Sequence, residues 1–393
     1  MEYPRYVKTV IDKLTAQGYE AYIVGGSLRD ILIGRAPSDF DITTSALPDE
    51  ILRVFSDMRT IPTGLKHGTV TVLSEGNPIE VTTFRTDGEY LDSRHPESVS
   101  FTSDICDDLS RRDFTVNSIA YNEVIGIVDP FCGEEDIKRK LLRAVGNPEV
   151  RMKEDALRIM RALRFSAQLG FSIEENTLVA LEATKAGLAD ISRERIGVEV
   201  TKLIAAESPE SAVRIMIETG ISKYVLGDYM PNERIISALN VLPTDFFIRF
   251  SALLWDCDKE KARKLLSSLK LSNAEKNGIL TILGARENPL PHSDAEIRRF
   301  IIRLGEHAER AATLLCALGG ATEDFRDKLQ RVKNSEFARK ISDLALDGND
   351  LANLGFYGKQ IGEILSVLFE KVTDDPALNE KEKLTNIINT MSH

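Results

Sequence analysis

Asp39-Phe40-Asp41 lies shortly after the run Gly25-Gly26-Ser27-Leu28-Arg29-Asp30. On a strand, side chains alternate, so Asp39 and Asp41 share one side and Phe40 takes the other, where it can be buried. Two carboxylates that close repel unless a cation lies between them. Hard oxygen ligands select Mg²⁺, which takes a few carboxylates and fills its shell with phosphate oxygens. The glycine turn, with Gly26 at its centre, can bring backbone N–H groups near an anion. Ser27 could cap the following short helix, whose N-terminus also favours phosphate, and Arg29 adds a planar fork. Together these residues suggest metal-assisted phosphoryl chemistry. The run is neither a Walker A loop nor GxGxxG. Taken alone, a solvated strand end and a tight turn account for the same residues. Glu80, in Ile79-Glu80-Val81-Thr82-Thr83-Phe84, is a candidate third acid if that run is the neighbouring strand. Alternation puts Glu80, Thr82 and Phe84 on one face, so a partly exposed strand edge explains it equally well.

The elements that must position these groups read as mixed α/β over residues 1–145. Val7, Val10, Ile11 and Leu14 have helical spacing. Residues 20–24 predict a strand, 28–33 a short helix and 40–43 a strand start, and Pro48 opens a helix through Phe55. Residues 69–73 and 79–84, separated by Glu75-Gly76-Asn77-Pro78, predict a hairpin. Residues 86–110 read as a long irregular loop, a kind that is often functional. Beyond about 149 the strand signals fade. Helices are predicted over 156–169, 174–186 and 193–205, and helical periodicity continues through most of 209–345. Breaks fall at Pro231, Pro243 and 287–291. The expected fold class is α+β, with a mixed-sheet head at 1–148. An elongated all-helical neck (149–208), body (209–290) and tail (291–393) follow.

A chain of 393 residues exceeds one typical core. It has no apolar run of about 18 residues, so no membrane span is expected, and no secretory leader is evident at Met1. Cys106, Cys132, Cys257 and Cys316 are far apart and form no CxxC, which argues against structural zinc and fits a reducing, cytoplasmic location. The net charge of −11 does not advertise a nucleic-acid binder, but local patches matter more than the sum. Basic residues recur in 259–276 and 326–340, where solvated helix faces would also explain them.

The run Val24 to Asp30 with Leu32 and Gly34, then Asp39-Phe40-Asp41-Ile42-Thr43-Thr44, closely resembles the head of the class II tRNA nucleotidyltransferases. That family includes CCA-adding enzymes and bacterial poly(A) polymerases. Thr63-Gly64 and His67-Gly68-Thr69-Val70-Thr71-Val72 resemble its next strand. Arg111-Arg112-Asp113-Phe114-Thr115-Val116-Asn117 resembles its sugar-selecting segment. Asp129-Pro130, Gly133, Asp136 and Arg143-Ala144-Val145-Gly146 follow. Glu154-Asp155-Ala156-Leu157-Arg158, continued by Arg161 and Arg164-Phe165, resembles its base-reading segment. Asn147 and Met152 replace a more usual aspartate and phenylalanine and read as turn or packing variants.

The resemblance implies that Asp39 and Asp41 hold catalytic magnesium ions in a two-metal transfer. It places Gly26, Ser27 and Arg29 on the incoming triphosphate and Asp113 on the ribose 2′-hydroxyl, with Asn117 in the same segment. Arg111 or Arg112 would contact phosphate or base-side groups. Asp155 and Arg158 would pair with the Watson–Crick edge, with Arg161 and Arg164 nearby. Residues 155 and 158 at i,i+3 on a helix would face the same way. Cytosine N4 and adenine N6 are both donors, so an aspartate and an arginine can accept C and A while rejecting U and G. Ion pairs to Glu154, Asp155 or a neighbouring helix would account for these arginines singly.

The implied activity is template-independent addition of C, C and A to tRNA from CTP and ATP, with the acceptor arm in the head and Mg²⁺ as cofactor. Protein partners are not indicated. Residues 85–96 resemble the flexible loop of enzymes that add the terminal A, with Gly88 as a pivot. A-only addition and poly(A) synthesis are the alternatives within this chemistry, though no basic tail favours the latter. A non-catalytic RNA-binding protein and a small-molecule nucleotidyltransferase are the alternatives outside it. His292-Ser293-Asp294 reads as a helix-capping turn rather than a phosphohydrolase motif. The segment 346–362 resembles the tail of the shorter CCA-adding enzymes, and a pair of helices joined by a capped turn, with Gly348 supplying the turn, would also account for it.

Overall fold

The computed structural model describes residues 1–88, 99–318 and 320–391. The chain forms two compact units, Met1–Met230 and Pro231–His393.

The first unit opens with α1 (Arg5–Ala16), β1 (Ala21–Val24), α2 (Gly25–Leu32), β2 (Asp41–Thr44) and α3 (Pro48–Val54). Next come β3 (Thr60–Gly64), β4 (Thr69–Ser74), β5 (Asn77–Thr83), β6 (Arg85–Asp87), β7 (Val99–Phe101) and α4 (Ile105–Ser110). The head ends with β8 (Ala120–Asn122), β9 (Gly126–Val128), α5 (Gly133–Arg139) and β10 (Leu141–Leu142). Then follow α6 (Pro148–Glu154), α7 (Leu157–Leu169), β11 (Ser172–Ile173), α8 (Glu175–Thr184), α9 (Arg193–Ile204), α10 (Pro209–Glu218) and α11 (Ser222–Leu226).

A seven-stranded mixed sheet runs β3-β4-β5-β2-β1-β8-β9. The helical spacing expected in α1 is present: Val7, Val10, Ile11 and Leu14 form its buried stripe. β1 is buried along its whole length. Tyr22 and Val24 on one of its faces pack with Phe84 and with Ile105 and Leu109 of α4. β4 and β5 form the expected hairpin, closing at Ser74↔Asn77. Its two-residue turn, Glu75-Gly76, takes positive φ at both positions (50° and 81°), the backbone a tight twisted hairpin needs.

Three expectations change. Residues 86–110 are not one irregular loop: β6 pairs with β7, and α4 follows. Of the 85–96 segment, residues 89–96 lie outside those described. The helical neck carries one short strand, β11, parallel to β10. Phe84 does not share an exposed face with Glu80, because β5 ends at Thr83 and Phe84 is buried.

Asp129 accepts the backbone N–H groups of Gly133 (2.7 Å) and Glu134 (2.9 Å), fixing the start of α5. A Cβ at Gly133 would stand 2.2 Å from the Thr115 carbonyl oxygen, so only glycine lets α5 approach the 115–117 turn this closely. Asn147 caps α6 by accepting from Glu149 and Val150 N–H, and Met152 is buried, so both departures are the turn and packing variants expected.

Every described element of the second unit is helical. Apart from short 3-10 turns, these are α12 (Glu233–Ala238), α13 (Phe246–Leu253), α14 (Lys259–Ser268), α15 (Asn273–Leu283), α16 (Asp294–Leu304) and α17 (Ala308–Ala317). The remainder are α18 (Glu323–Lys333), α19 (Gly348–Asn353), α20 (Lys359–Asp374) and α21 (Lys381–Met391). Ser293 caps α16 in a capping box with Glu296, as its sequence suggested. Gly348 is the first residue of α19 under an Asp347 cap. The turn to α20 instead uses Gly355 and Gly358, both at positive φ. Among the described residues no helix is long and apolar enough to cross a membrane.

Candidate active site

The first unit contains an open cavity of about 940 Å³. Asp39, Asp41, Gly26, Arg29, Arg111, Arg112, Asp113, Asn117, Asp155, Arg158, Arg161 and Arg164 all line it. Residues more than a hundred positions apart in sequence therefore face one space. Of the sequence-predicted residues, Ser27 and Glu80 do not line it.

The acids sit where the end of β1 meets the start of β2, with Val24 opposite Asp41. Asp39 precedes the strand, Asp41 begins it, and Phe40 is buried between them, so the expected division of faces holds. β5 runs parallel to β2 with Glu80 in register beside Asp41. β5 lies inside the sheet, which removes the strand-edge explanation for Glu80. Asp41 is open to solvent, yet surrounding protein crowds its carboxyl. Partial loss of water, then Glu80, then Asp39 push its pKa up to about 6, against the opposing charge of Arg112.

Gly25 and Gly26 are the first turn of α2 rather than a turn preceding it. Ser27 is therefore not the helix cap. Its hydroxyl is buried and donates to Val24 O at 3.0 Å, which leaves its backbone rather than its side chain at the helix N-terminus. Gly25 has φ +72°, and a Cβ there would lie 3.1 Å from Arg112 Nη1 and 3.8 Å from Asp41 Oδ2. Arg29 is buried. It donates to Asn117 Oδ1 (2.7 Å) and, through Nε and Nη2, to Asp30 Oδ1.

Asp113 is buried and heavily bonded. Oδ1 accepts from its neighbour's backbone at Phe114 (2.8 Å) and from Asn117 Nδ2 (3.0 Å). Oδ2 accepts from Arg161 Nε (2.8 Å) and Nη2 (2.5 Å). Burial alone would raise its pKa, but the Arg161 charge and the Asn117 bond hold it well below the usual carboxylate range. Phe165 is the aromatic floor of this region: the guanidinium carbons of Arg164, Arg29 and Arg161 lie 3.9, 5.2 and 5.3 Å from its ring centre.

Asp155 and Arg158 are not on one helix. Asp155 is extended (φ −141°, ψ 103°) in the break between α6 and α7, where its Oδ1 accepts the Leu157 N–H at 3.0 Å. A short carboxylate that caps the next helix is more stable in that break than inside a continuous helix. Arg158, in the first turn of α7, donates to Glu154 Oε2 (2.5 Å), Arg151 O (2.9 Å) and Arg111 O (3.1 Å). The last bond ties the 155–158 segment directly to the Arg111-Arg112-Asp113 segment. The arginines are thus ion-paired, Arg158 with Glu154, Arg161 with Asp113 and Arg164 with Glu199, and also face the cavity.

Two site residues escaped the sequence reading. Arg195, in the first turn of α9, donates to Asp155 Oδ2 at 2.8 Å and lines the cavity. Its Nη1 is buried without a hydrogen-bond partner among the described residues. No local pattern joins positions 155 and 195. Asp108, fully buried in α4, pairs with both Arg111 and Arg112. Its i,i+3 and i,i+4 spacing to them was visible in the sequence.

Comparison with known proteins matches this architecture along the chain. Residues 21–143 match the family described as "Poly A polymerase head domain". Residues 170–231 match "Probable RNA and SrmB- binding site of polymerase A". Residues 248–388 match "tRNA nucleotidyltransferase domain 2 putative". The CCA-adding enzyme of Geobacillus kaustophilus is 38% identical over 383 residues, covering 95% of this chain and 94% of that protein. The CCA-adding enzyme of Bacillus cereus strain B4264 is 36% identical over 394 residues, covering 98% of each. The crystal structure of the Bacillus stearothermophilus CCA-adding enzyme in complex with CTP superposes with a TM-score of 0.85 at 33% identity, covering 100% of this chain and 99% of that one. The chain belongs to the CCA-adding enzyme family of class II tRNA nucleotidyltransferases.

Proposed function

We propose that this member of the family completes tRNA 3′ ends by adding C, C and A from CTP and ATP, in the cavity of the first unit. One observation carries the reading: the paired acids, the buried Asp113 and the Asp155-Arg158 segment all face the same space. A nucleotide held there could meet acids at its phosphates, Asp113 at its sugar and Asp155 at its base. The likeness to a relative solved with CTP supports the same substrate class.

Asp39 and Asp41 are the residues that would hold Mg²⁺. Among the described residues no group of three or more His, Cys, Asp or Glu converges into a closed metal site. Two carboxylates completed by phosphate oxygens suit Mg²⁺ nonetheless, and the crowding of Asp41 by Glu80 and Asp39 is what a dication would relieve. When bound, the metal supplies the positive charge that activates the primer hydroxyl and stabilises the leaving pyrophosphate. The N-terminal N–H groups of α2 and the Arg29 and Arg112 guanidiniums receive the triphosphate. Asp113, whose four acceptor sites are filled by Phe114, Asn117 and Arg161, takes the ribose 2′-hydroxyl by exchanging one of these hydrogen bonds, with Asn117 beside it. Asp155 accepts the exocyclic amine of C or A, and Arg158 donates to the ring.

Residues 1–148 would then serve as head, 149–208 as neck, 209–290 as body and 291–393 as tail, with tRNA as the macromolecular partner. A cytoplasmic location belongs to the same proposal, and the four free cysteines suit it. The direct test is Asp39→Ala and Asp41→Ala. Each loses nucleotide transfer while tRNA affinity stays near wild type; near wild-type turnover in either variant rejects the assignment.

A further inference from the structure

We propose that Asp108 is a positioning residue for the triphosphate. Its buried carboxylate holds Arg111 and Arg112 as a pair and keeps the Arg112 guanidinium at the corner between Gly25 and Asp41. The inference rests on the proposed function and assigns a role within it to a residue that does not line the cavity.

The geometry is local and closed. Asp108 Oδ1 accepts from Arg111 Nε (3.1 Å) and Nη2 (2.7 Å), and Oδ2 accepts from Arg112 Nη2 (3.1 Å). Helical spacing presents residues 111 and 112 to the same acid one turn back. Thr43 Oγ1 also approaches Oδ2 at 3.3 Å, and Thr43 lies two residues beyond Asp41 on β2. The backbone N–H of Arg85 approaches Oδ1 at 3.4 Å. One carboxylate therefore ties α4, β2, β6 and the two arginines together. Its side chain is wholly buried, whereas those of Arg111 and Arg112 keep 16% and 19% of their surface, so the acid is the fixed point and the arginines are what it aims.

The consequence lies at Gly25. Arg112 Nη1 and Asp41 Oδ2 both fall within 4 Å of the point a Gly25 Cβ would occupy. Two adjacent guanidiniums repel, and Arg112 without Asp108 would still have the Asp41 carboxylate across the Gly25 corner. It would close onto that acid and occupy oxygens the reaction requires. Asp108 neutralises one of the two charges and restrains Arg112, leaving a fixed positive edge for an incoming phosphate chain.

The test is steady-state kinetics of Asp108→Asn in the full chain, with tRNA ending in -C or -CC. CTP and ATP are the donors, alongside Arg112→Ala and the double variant. Loss of one aligned, charge-assisted contact to the triphosphate raises KM for CTP and ATP equally, by roughly 10- to 100-fold. Preference over UTP and GTP is unchanged, as is tRNA affinity. Because Asp108 acts through Arg112, the double variant is no worse than Arg112→Ala. A folded Asp108→Asn with wild-type KM for both nucleotides overturns the proposal, as does a double variant whose losses multiply. If Asp108→Asn does not fold, Thr43→Val, which removes a donor to the same carboxylate oxygen, decides: a KM raised equally for both nucleotides upholds the proposal, and an unchanged KM overturns it. Failure of the underlying functional reading looks different, because the wild-type chain itself would then transfer neither nucleotide.

Discussion

Arg195 Nη2 stands 2.8 Å from Asp155 Oδ2, while Asp155 Oδ1 accepts the Leu157 N–H. Both oxygens of the carboxylate assigned to the base are thereby fixed by groups from α9 and α7. An orientation held at both ends is what a protein template for a base edge requires, because discrimination depends on where the acceptor points. Arg195→Ala is expected to lower kcat/KM for CTP and ATP by about tenfold or more, and to narrow their advantage over UTP and GTP. Competition assays with the four nucleotides check this. Unaltered selectivity would reduce Arg195 to a structural ion pair.

Asp113 and Arg161 make a second coupled pair, with both contacts on Oδ2. Removing the arginine leaves a buried carboxylate without its cation. Arg161→Ala should cost about 3 kcal/mol of unfolding free energy at neutral pH, measurable by urea denaturation. Since the pKa of Asp113 is depressed in the folded chain, its contribution is present above the unfolded value of about 3.9 and is lost on acidification. The gap between wild type and variant should therefore shrink as the pH falls below about 4. A gap that stays constant with pH would assign the loss to packing instead.

Asp41 has the opposite sign. Its pKa is pushed up to about 6, so ionising it opposes folding, and the penalty appears as pH rises through that value. Asp41→Asn should raise Tm relative to wild type near pH 8 without added metal, with the advantage fading towards pH 4. Thermal melts across that range decide it. Equal or lower stability of the variant at pH 8 would contradict the crowding of the acids.

These pairs show what the sequence could and could not reveal. Asp39 and Asp41 were legible because strand alternation acts over two residues, and the burial of Phe40 followed from the same rule. The β4–β5 hairpin was legible in its turn, and the stripe of α1 in its spacing. The assembly of the cavity was visible only through the order of several motifs, since no local rule joins Asp41 to Asp155. The helix break at Asp155 was missed because periodicity runs on through 156–169, while the competing signal is a single carboxylate capping Leu157. Ser27 was misread for a related reason: α2 starts at Gly25, so the hydroxyl falls inside the helix and bonds back to Val24. Arg195 carried no signal at all, because its partner lies forty positions away.

Many of the basic side chains in 259–276 and 326–340 pair with acids, including Lys259 with Glu287, Lys328 with Asp324 and Arg331 with Asp294. If these faces nonetheless contact tRNA phosphates, affinity should drop steeply between roughly 50 and 200 mM salt. A filter-binding series with charge-reversed lysines checks it. A binding constant indifferent to salt would remove these runs from the RNA surface.

The central claim is tested most directly by supplying tRNA transcripts that end at the discriminator base, at -C or at -CC, with CTP and ATP separately and together. The account predicts two C additions from CTP, one A from ATP on the -CC transcript, and then a stop. Extension of the -CC transcript alone, or long A tails on unrelated RNAs, would contradict it.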